Sequence, residues 1–327
     1  MLCRTPNVRT TMLVDRRQVL RSSFASAALT ILPSTLALSE SAPEAVLLCL
    51  LGTKGGPSVR DISQLPFSNL LRIGSTSYII DAGYGTTYRL IEKGISLASI
   101  RCIFVSHHHS DHNFEVGPLL FNAWANGLNN SIDIYGPAGI DHLIKAYLDS
   151  NKIDIDIRIV DEGRPDLRTL VAEHAFKEGL VMEDQNVRVS ALRVLHPPIE
   201  AYALKFEIKG GKTLVFSGDT TYFPPLAEFA KNADFMVHEV MYGPALDRLV
   251  KRKPAAKTLI DHLRAAHTLT EDVGRIAAAA NVKTLVLSHF VPGADAKITD
   301  DDWIAGIRKS FAGNVIVGRD RLEIAIN

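Results

Sequence analysis

Cysteine is scarce in this 327-residue chain, which has only Cys3, Cys49 and Cys102. Three cysteines do not make a disulfide framework, and their spacing fits no cysteine-built zinc site. Cys49 and Cys102 lie in apolar, strand-like runs and read as small buried hydrophobes. A bridge between them is the alternative in an oxidising compartment. Long apolar runs are also lacking. No stretch reaches the ~18 residues that span a bilayer, so stable membrane insertion is not expected. Net charge is absent too, with 36 basic and 36 acidic residues. There is no internal repeat and no low-complexity tract. What is present is a hydrophobic fraction of 46%, enough for a real core.

The overall neutrality hides an asymmetry. Arg4, Arg9, Arg16, Arg17 and Arg21 face a single acid, Asp15, within residues 1–39. The remainder holds 31 basic and 35 acidic residues, a net of −4. Asp15 to Arg21 is a twin-arginine pattern. A weakly apolar stretch follows to Leu38, and Ala37-Leu38-Ser39 offers a small-x-small cleavage site. This layout predicts a twin-arginine signal peptide over 1–39, transient engagement of the export machinery, and a periplasmic or extracellular mature protein. Met12 is an alternative start. A mildly acidic body is a poor grip for a polyanion, so nucleic acid is not an expected partner.

From residue 40 onward one domain is expected. Ala45 to Leu51 reads as a buried strand, and Asn69 to Ile73 with Ser77 to Ile80 as a hairpin around Gly74-Ser75. Ile100 to Val105 is a strand that delivers the chain into His107-His108-His109-Ser110-Asp111-His112. Helices are predicted over Tyr88 to Lys93, Glu115 to Gly127 and Ala138 to Leu148. Residues 149–190 read as less regular, with strand-like patches. Later strands are predicted at Val187 to Leu195, Ala203 to Ile208, Thr213 to Phe216, Phe235 to Val240, Thr284 to Leu287, Val315 to Val317 and Leu322 to Ile326. Thr268 to Ala280 reads as a helix opened by a Thr268–Glu271 capping box. Strands, alternating helices and hairpins together predict a mixed-sheet sandwich flanked by helices.

Polar residues gather where these strands end. His107, His109, Asp111 and His112 follow one strand; His196, Asp219 and His289 follow three others. Glu239 ends a fifth strand, and His267 directly precedes a helix. Loops at one edge of a sheet scaffold converge, and imidazole with carboxylate is a donor set for Zn²⁺ and related ions. Five His and two Asp are enough for two metals and too many for one. A carboxylate such as Asp219 can give one oxygen to each ion. His108 lies between the ligand positions and is expected to point away.

The H-x-H-x-D-H run, with His196, Asp219 and His289 in that order, resembles the metallo-β-lactamase superfamily signature over residues 45–327. The resemblance implies an α/β (α+β) fold: a four-layer αβ/βα sandwich with a dinuclear metal site at one sheet edge. It implies that His107, His109 and His196 hold one ion, that Asp111, His112 and His289 hold the other, and that Asp219 bridges them. Zn²⁺ is the expected metal, with Mn²⁺ or Fe²⁺ as alternatives. Asp81 matches the supporting Asp beneath the metal loop. Val237-His238-Glu239-Val240, Ala266-His267-Thr268 and Leu287-Ser288-His289-Phe290 further resemble the ribonuclease Z and arylsulfatase-like branch. There a Glu239–His267 pair would assist the leaving group, and Asp111 would orient or deprotonate the nucleophile.

Two departures stand out. Ser110 occupies a position where that branch typically carries Gly. The segment 141–190, where a basic RNA-clamping arm would lie, holds seven Lys/Arg against eleven Asp/Glu. The expected activity is therefore metal-dependent hydrolysis of a phosphodiester or sulfate ester on a small molecule. Ribonuclease Z-like tRNA 3′ processing, a lactonase, a di-iron redox protein and an inactive metal-binding relative are the alternatives. Lys54 and Arg60 are candidate contacts for an anionic substrate, although solvated side chains are the commoner fate. Tyr222 to Pro225 and Met241-Tyr242 read equally as pocket lining or as packing. The oligomeric state is open, a homodimer included.

Overall fold

A computed structural model of the protein describes residues 45–326. The twin-arginine segment and the start of the following domain lie outside the described residues. Within them, two seven-stranded sheets face each other. The strands are β1 (Val46–Gly52), β2 (Ser68–Ile73), β3 (Thr76–Ala82), β4 (Ile100–Phe104), β5 (Ile132–Gly136), β6 (Val171–Ala175), β7 (Gly179–Glu183), β8 (Val187–His196), β9 (Ile199–Ile208), β10 (Lys212–Phe216), β11 (Phe235–Met241), β12 (Thr284–Val291), β13 (Asn314–Val317) and β14 (Glu323–Ala325). One sheet runs β14-β1-β2-β3-β4-β5-β6, the other β13-β12-β11-β10-β9-β8-β7. Each chain half thus builds one sheet, and β14 returns to pair antiparallel with β1.

The unbroken apolar run of β1 follows from burial on both faces. Leu48 and Leu50 join the core between the sheets, with Leu71, Tyr78, Phe104, Phe206 and Phe216. Cys49 and Leu51 point outward, into a cluster capped by helix Val116–Ala125 and helix Ile140–Ser150. A third cluster packs helix Thr270–Ala280 and Trp303 against the other sheet. The result is four layers, αβ/βα, as the motif pattern implied.

Some expectations need correction. The segment after Asn151 is a regular helix, Lys152–Glu162. Its Ile153, Ile155, Ile157 and Ile159 alternate with charged residues, the period of a strand. Pairs at helical spacing override that period: Lys152 with Asp156, and Arg158 with both Asp154 and Glu162. Only Ile155 is fully buried, while Ile153 and Val160 face outward. The helix expected from Thr268 begins at Thr270, with Leu269 as a cap that offers no side-chain acceptor. Thr268 does not cap because it is committed elsewhere. Its carbonyl accepts from Met241 N–H at 2.8 Å, and its hydroxyl donates to the Thr220 carbonyl at 2.5 Å. Helices Leu246–Lys251 and Leu259–Ala266, absent from the sequence reading, fill the gap between β11 and His267.

The Cys49–Cys102 alternative is excluded. Both thiols are free, and β2 and β3 separate their strands. Three inter-strand spacings come to roughly 14 Å, beyond any disulfide. Burial pushes both thiols up to about 12. Neither should react with iodoacetamide at pH 8 in the folded protein, and both should react in urea. Peptide mapping by mass spectrometry reads this directly, and native-state labelling at either site would contradict the burial.

The sheet edge near the site is fastened by Asp320. Its carboxylate accepts from Thr53 N–H at 2.9 Å, the Thr53 hydroxyl at 2.9 Å, Leu65 N–H at 2.7 Å and Arg89 Nη2 at 3.1 Å. Arg89 is itself buried. Asp320→Ala leaves three buried donors unpaired and Arg89 with only Glu92 and the Ile62 carbonyl, so a loss of about 2–4 kcal/mol is expected. The urea midpoint measures it, and a loss below about 1 kcal/mol would show that the network is not a fastening.

Candidate metal centre

Two loops from opposite sheets meet at one edge of the sandwich. After β4, Ser106 enters the loop that carries His107 and His109, and a short helix, Ser110–Asn113, carries Asp111 and His112. His107 bridges to Ala201 on β9, and Tyr202 N–H donates to Ser106 O at 3.1 Å. These contacts tie the loop of one sheet to the other. His196 ends β8, Asp219 follows β10, and His289 lies on β12 beside a register irregularity. Gly218 brings Asp219 into place at φ 59°, where a Cβ would stand 2.4 Å from the Tyr202 carbonyl oxygen. Only glycine suits that approach.

The seven predicted residues converge. His107, His109, His196 and Asp219 form one group, and Asp111, His112 and His289 another, with donor atoms within 4.8 Å of one another in each. Asp219 stands between the groups. Its Oδ2 is 3.8 Å from His107 Nε2, 3.9 Å from His196 Nε2 and 3.2 Å from His289 Nε2. Its Oδ1 is 3.4 Å from His112 Nε2. A supporting shell aims the rings. His112 Nδ1–H donates to Asp81 Oδ2 at 2.8 Å, and His196 Nδ1–H donates to the Ala266 carbonyl at 2.8 Å. Asp81 also accepts from Ser106 N–H at 2.7 Å. Asp111 Oδ2 accepts from Gly56 N–H at 2.6 Å. Asp81 and His289 adopt positive φ of 59° and 46°, strained for non-glycine residues and common where a site dictates side-chain direction. His108 points away, with Nε2 3.0 Å from the Ala138 carbonyl oxygen.

The donors fit divalent ions. His112 Nε2 and Asp219 Oδ1 are buried and face each other without forming a hydrogen bond. Buried polar atoms left that way are costly, and a shared cation satisfies both. Burial holds His107 far below the ordinary histidine range and His196 down at about 4, so both rings are neutral and ready to donate a lone pair. Burial opposes charge on His112 as well, but the Asp219, Asp81 and Asp111 carboxylates outweigh it and raise this ring. Metal binding there would displace a proton.

Beside the centre lies a second pair. His267 Nδ1 is 2.9 Å from Glu239 Oε2, while Glu239 Oε1 accepts from Thr220 N–H at 2.6 Å. Burial opposes a charged His267, yet the adjacent Glu239 carboxylate prevails and lifts it to about 9. Burial raises Glu239 in turn.

The centre opens into a cavity of about 440 Å³. Lys54 lines it and is buried, not solvated, with Nζ donating to the Gly56 carbonyl at 2.6 Å. Its amine is pulled down to about 8, by burial first. Arg60 also lines the cavity. Tyr222, Phe223 and Tyr242 pack against the core, and Tyr222 and Met241 also line a smaller pocket that reaches His267. Three contributors escaped the sequence reading. Phe67 backs the rings of His112 and His289 at 5.2 and 5.5 Å. His262 stands about 6 Å from the rings of His109, His196 and His267. Lys253 lines the cavity. The four-residue step from Leu259 to Leu263 was the available sign of the helix that presents His262.

The two facing sheets and the His/Asp cluster at their edge define a protein of the metallo-β-lactamase fold, with the donor set of a metallo-hydrolase. Residues 47–249 match the family described as Anti-Pycsar protein Apyc1, and the chain belongs to that family. It is 28% identical over 283 residues to ribonuclease Z of Mycobacterium marinum, across 85% of this chain and 98% of that protein. Among solved structures it is similar to the metallo-β-lactamase fold protein YhfI from Bacillus subtilis. That likeness has a TM-score of 0.64 and 21% identity, over 86% of this chain and 100% of that one. The short form of human tRNase Z is similar with a TM-score of 0.62 and 19% identity, over 86% and 99% of the two chains.

Proposed function

We propose that the protein is a dinuclear metal-dependent phosphodiesterase acting on small substrates. The observation that carries this reading is the buried Glu239–His267 pair at the rim of a seven-ligand His/Asp cluster. Hydrolysing an ester with a poor leaving group needs an acid beside the nucleophile site, and this geometry supplies one. Divalent ions, Zn²⁺ in the first instance, would be held by His107, His109 and His196 on one side, by Asp111, His112 and His289 on the other, and by Asp219 between. When bound they supply Lewis acidity and a water acidic enough to react at neutral pH.

The remaining steps belong to the chain. Asp111, fixed by Gly56 N–H, orients the attacking water and takes its proton. His267 keeps its proton because Glu239 holds Nδ1, which leaves Nε2 to hand a proton to the departing oxygen. Phe67 packs behind the rings of His112 and His289. Ribonuclease Z chemistry is the second reading, favoured by the likeness to the Mycobacterium marinum enzyme. The acidic segment 141–190 speaks against it, because helix Lys152–Glu162 spends its cations on its own carboxylates.

The test is turnover of bis-(4-nitrophenyl) phosphate, 4-nitrophenyl sulfate, an acyl-homoserine lactone and a precursor transfer RNA. The protein is used as purified and again after chelation and metal return. Chelator-sensitive cleavage of the phosphodiester supports the proposal. Preference for the sulfate, the lactone or the RNA replaces it with that activity.

A further inference from the structure

The cavity over the cluster also carries positive charge. Four cationic side chains line it: Lys54, Arg60, Arg252 and Lys253. Two are already engaged. Lys54 Nζ donates to the carbonyls of Gly55 and Gly56, and Arg252 is 3.2 Å from Asp295, which also holds Arg248. Among the described residues, no carboxylate lies within ion-pair distance of Arg60 or Lys253. The nearby Asp61 also lines the cavity, but one of its oxygens accepts from Ser63 N–H at 2.8 Å. Arg60 and Lys253 come from segments nearly two hundred positions apart, yet the charge of Arg60 acts on Lys253, as does the opposite charge of Asp111, and both cations act on Lys54. Like charges brought together at the rim of a concave site, with no partner of their own, cost stability unless an anion joins them. Leu249, Leu259 and Leu263 line the same cavity and give it an apolar part.

We propose that Arg60 and Lys253 form an anion subsite at the mouth of the cavity. It takes a second negatively charged group of the substrate, a phosphate or carboxylate beyond the scissile ester. The substrate class is then a compact phosphodiester with an apolar spacer and an anionic tail. This inference rests on the phosphodiesterase reading. The scissile group is served by the cluster and His267; the rim cations select what hangs from it. A cavity of about 440 Å³ suits a small molecule of that kind, as binding cavities of a few hundred Å³ do.

The test compares 4-nitrophenyl propyl phosphate with the same diester bearing a phosphate on the far propyl carbon. The wild-type kcat/KM should favour the phosphorylated substrate by about tenfold at low ionic strength, and less as salt is raised. In the Arg60→Gln/Lys253→Gln double variant the ratio should fall to near one. The charge-preserving Arg60→Lys/Lys253→Arg variant should keep most of it. A ratio near one in the wild type, or one that persists in the neutral variant, overturns the subsite. Titration calorimetry with propylphosphonate and the bisphosphonate of the same three-carbon chain reads the preference without turnover. Bisphosphonate preference that depends on Arg60 and Lys253 but without hydrolysis would keep the subsite and count against the phosphodiesterase reading.

Discussion

Asp219→Ala is expected to leave a folded protein that retains little metal and has lost at least about 10³-fold in phosphodiester turnover. Among the carboxylates of the described residues, Asp219 alone lies within 4 Å of donors from both groups. Its two oxygens lie within 4 Å of His107, His112, His196 and His289. Removing it deletes the one group placed to hold both ions and leaves four imidazoles facing one another around a gap. Burial opposes charge on Asp219, but the rings of His289 and His112 outweigh it and hold its carboxyl far below the ordinary range. Asp219→Asn keeps the volume and one oxygen but not the charge, and should bind metal better than the alanine variant yet far below wild type. Asp81→Ala sets the scale for a group that only aims a ligand, with metal affinity about 10–100-fold weaker. Metal content by mass spectrometry, read beside turnover, separates these cases. An Asp219→Ala protein that keeps two ions per chain would remove Asp219 from the bridge.

That ranking was legible in the sequence because strand ends are legible. The strands β4, β8 and β10 lead into His107, His196 and Asp219 near one edge, while β12 carries His289 at a register irregularity and runs on to Val291. Sequence order and spacing therefore carried the cluster, including Asp81, whose carboxylate holds His112 Nδ1. What surrounds the cluster was not legible, for reasons specific to each residue. Helix Lys152–Glu162 wears a strand's hydrophobic period, and its ion pairs show only once the helix is assumed. Thr268 and Glu271 have capping-box spacing, but Thr268 is held by Met241 and Thr220, partners 27 and 48 positions away. Lys54 looks like any loop lysine. It is buried because Phe290 on β12 pairs with the loop after β1, a contact between opposite ends of the chain. His262 and Lys253 precede His267 in a stretch to which the sequence assigns no element. Lys253 follows helix Leu246–Lys251 and His262 lies on helix Leu259–Ala266, and Leu246 and Leu263 pack these helices on Met241 and Val291. Ligands placed by strand ends are local facts, whereas the walls of the cavity are tertiary ones.

The wall residue with the largest expected kinetic effect is His267. His267→Ala should reduce hydrolysis of an alkyl phosphodiester by about 10²–10⁴-fold. The same change should slow bis-(4-nitrophenyl) phosphate by less than about tenfold, because 4-nitrophenolate departs without a proton. That contrast separates an acid from a structural histidine, whose loss would depress both substrates alike. Glu239→Gln should give an intermediate loss. It removes the charge that lifts His267 but leaves an oxygen to accept from Nδ1–H. The pH dependence follows with a definite sign. A general acid must be protonated, and Glu239 keeps the proton on His267 up to about 9. Ions in the neighbouring cluster pull the other way, so the alkaline limb of the rate on the alkyl substrate should fall at or below about 9. In Glu239→Gln that limb should move to lower pH, because the ring loses the anion that offset its burial. On bis-(4-nitrophenyl) phosphate the limb should be weak or absent. An alkaline limb that stays in place in both variants would assign it to another group and leave His267 as packing between His196 and His289, whose rings lie 5.2 and 5.6 Å from its own.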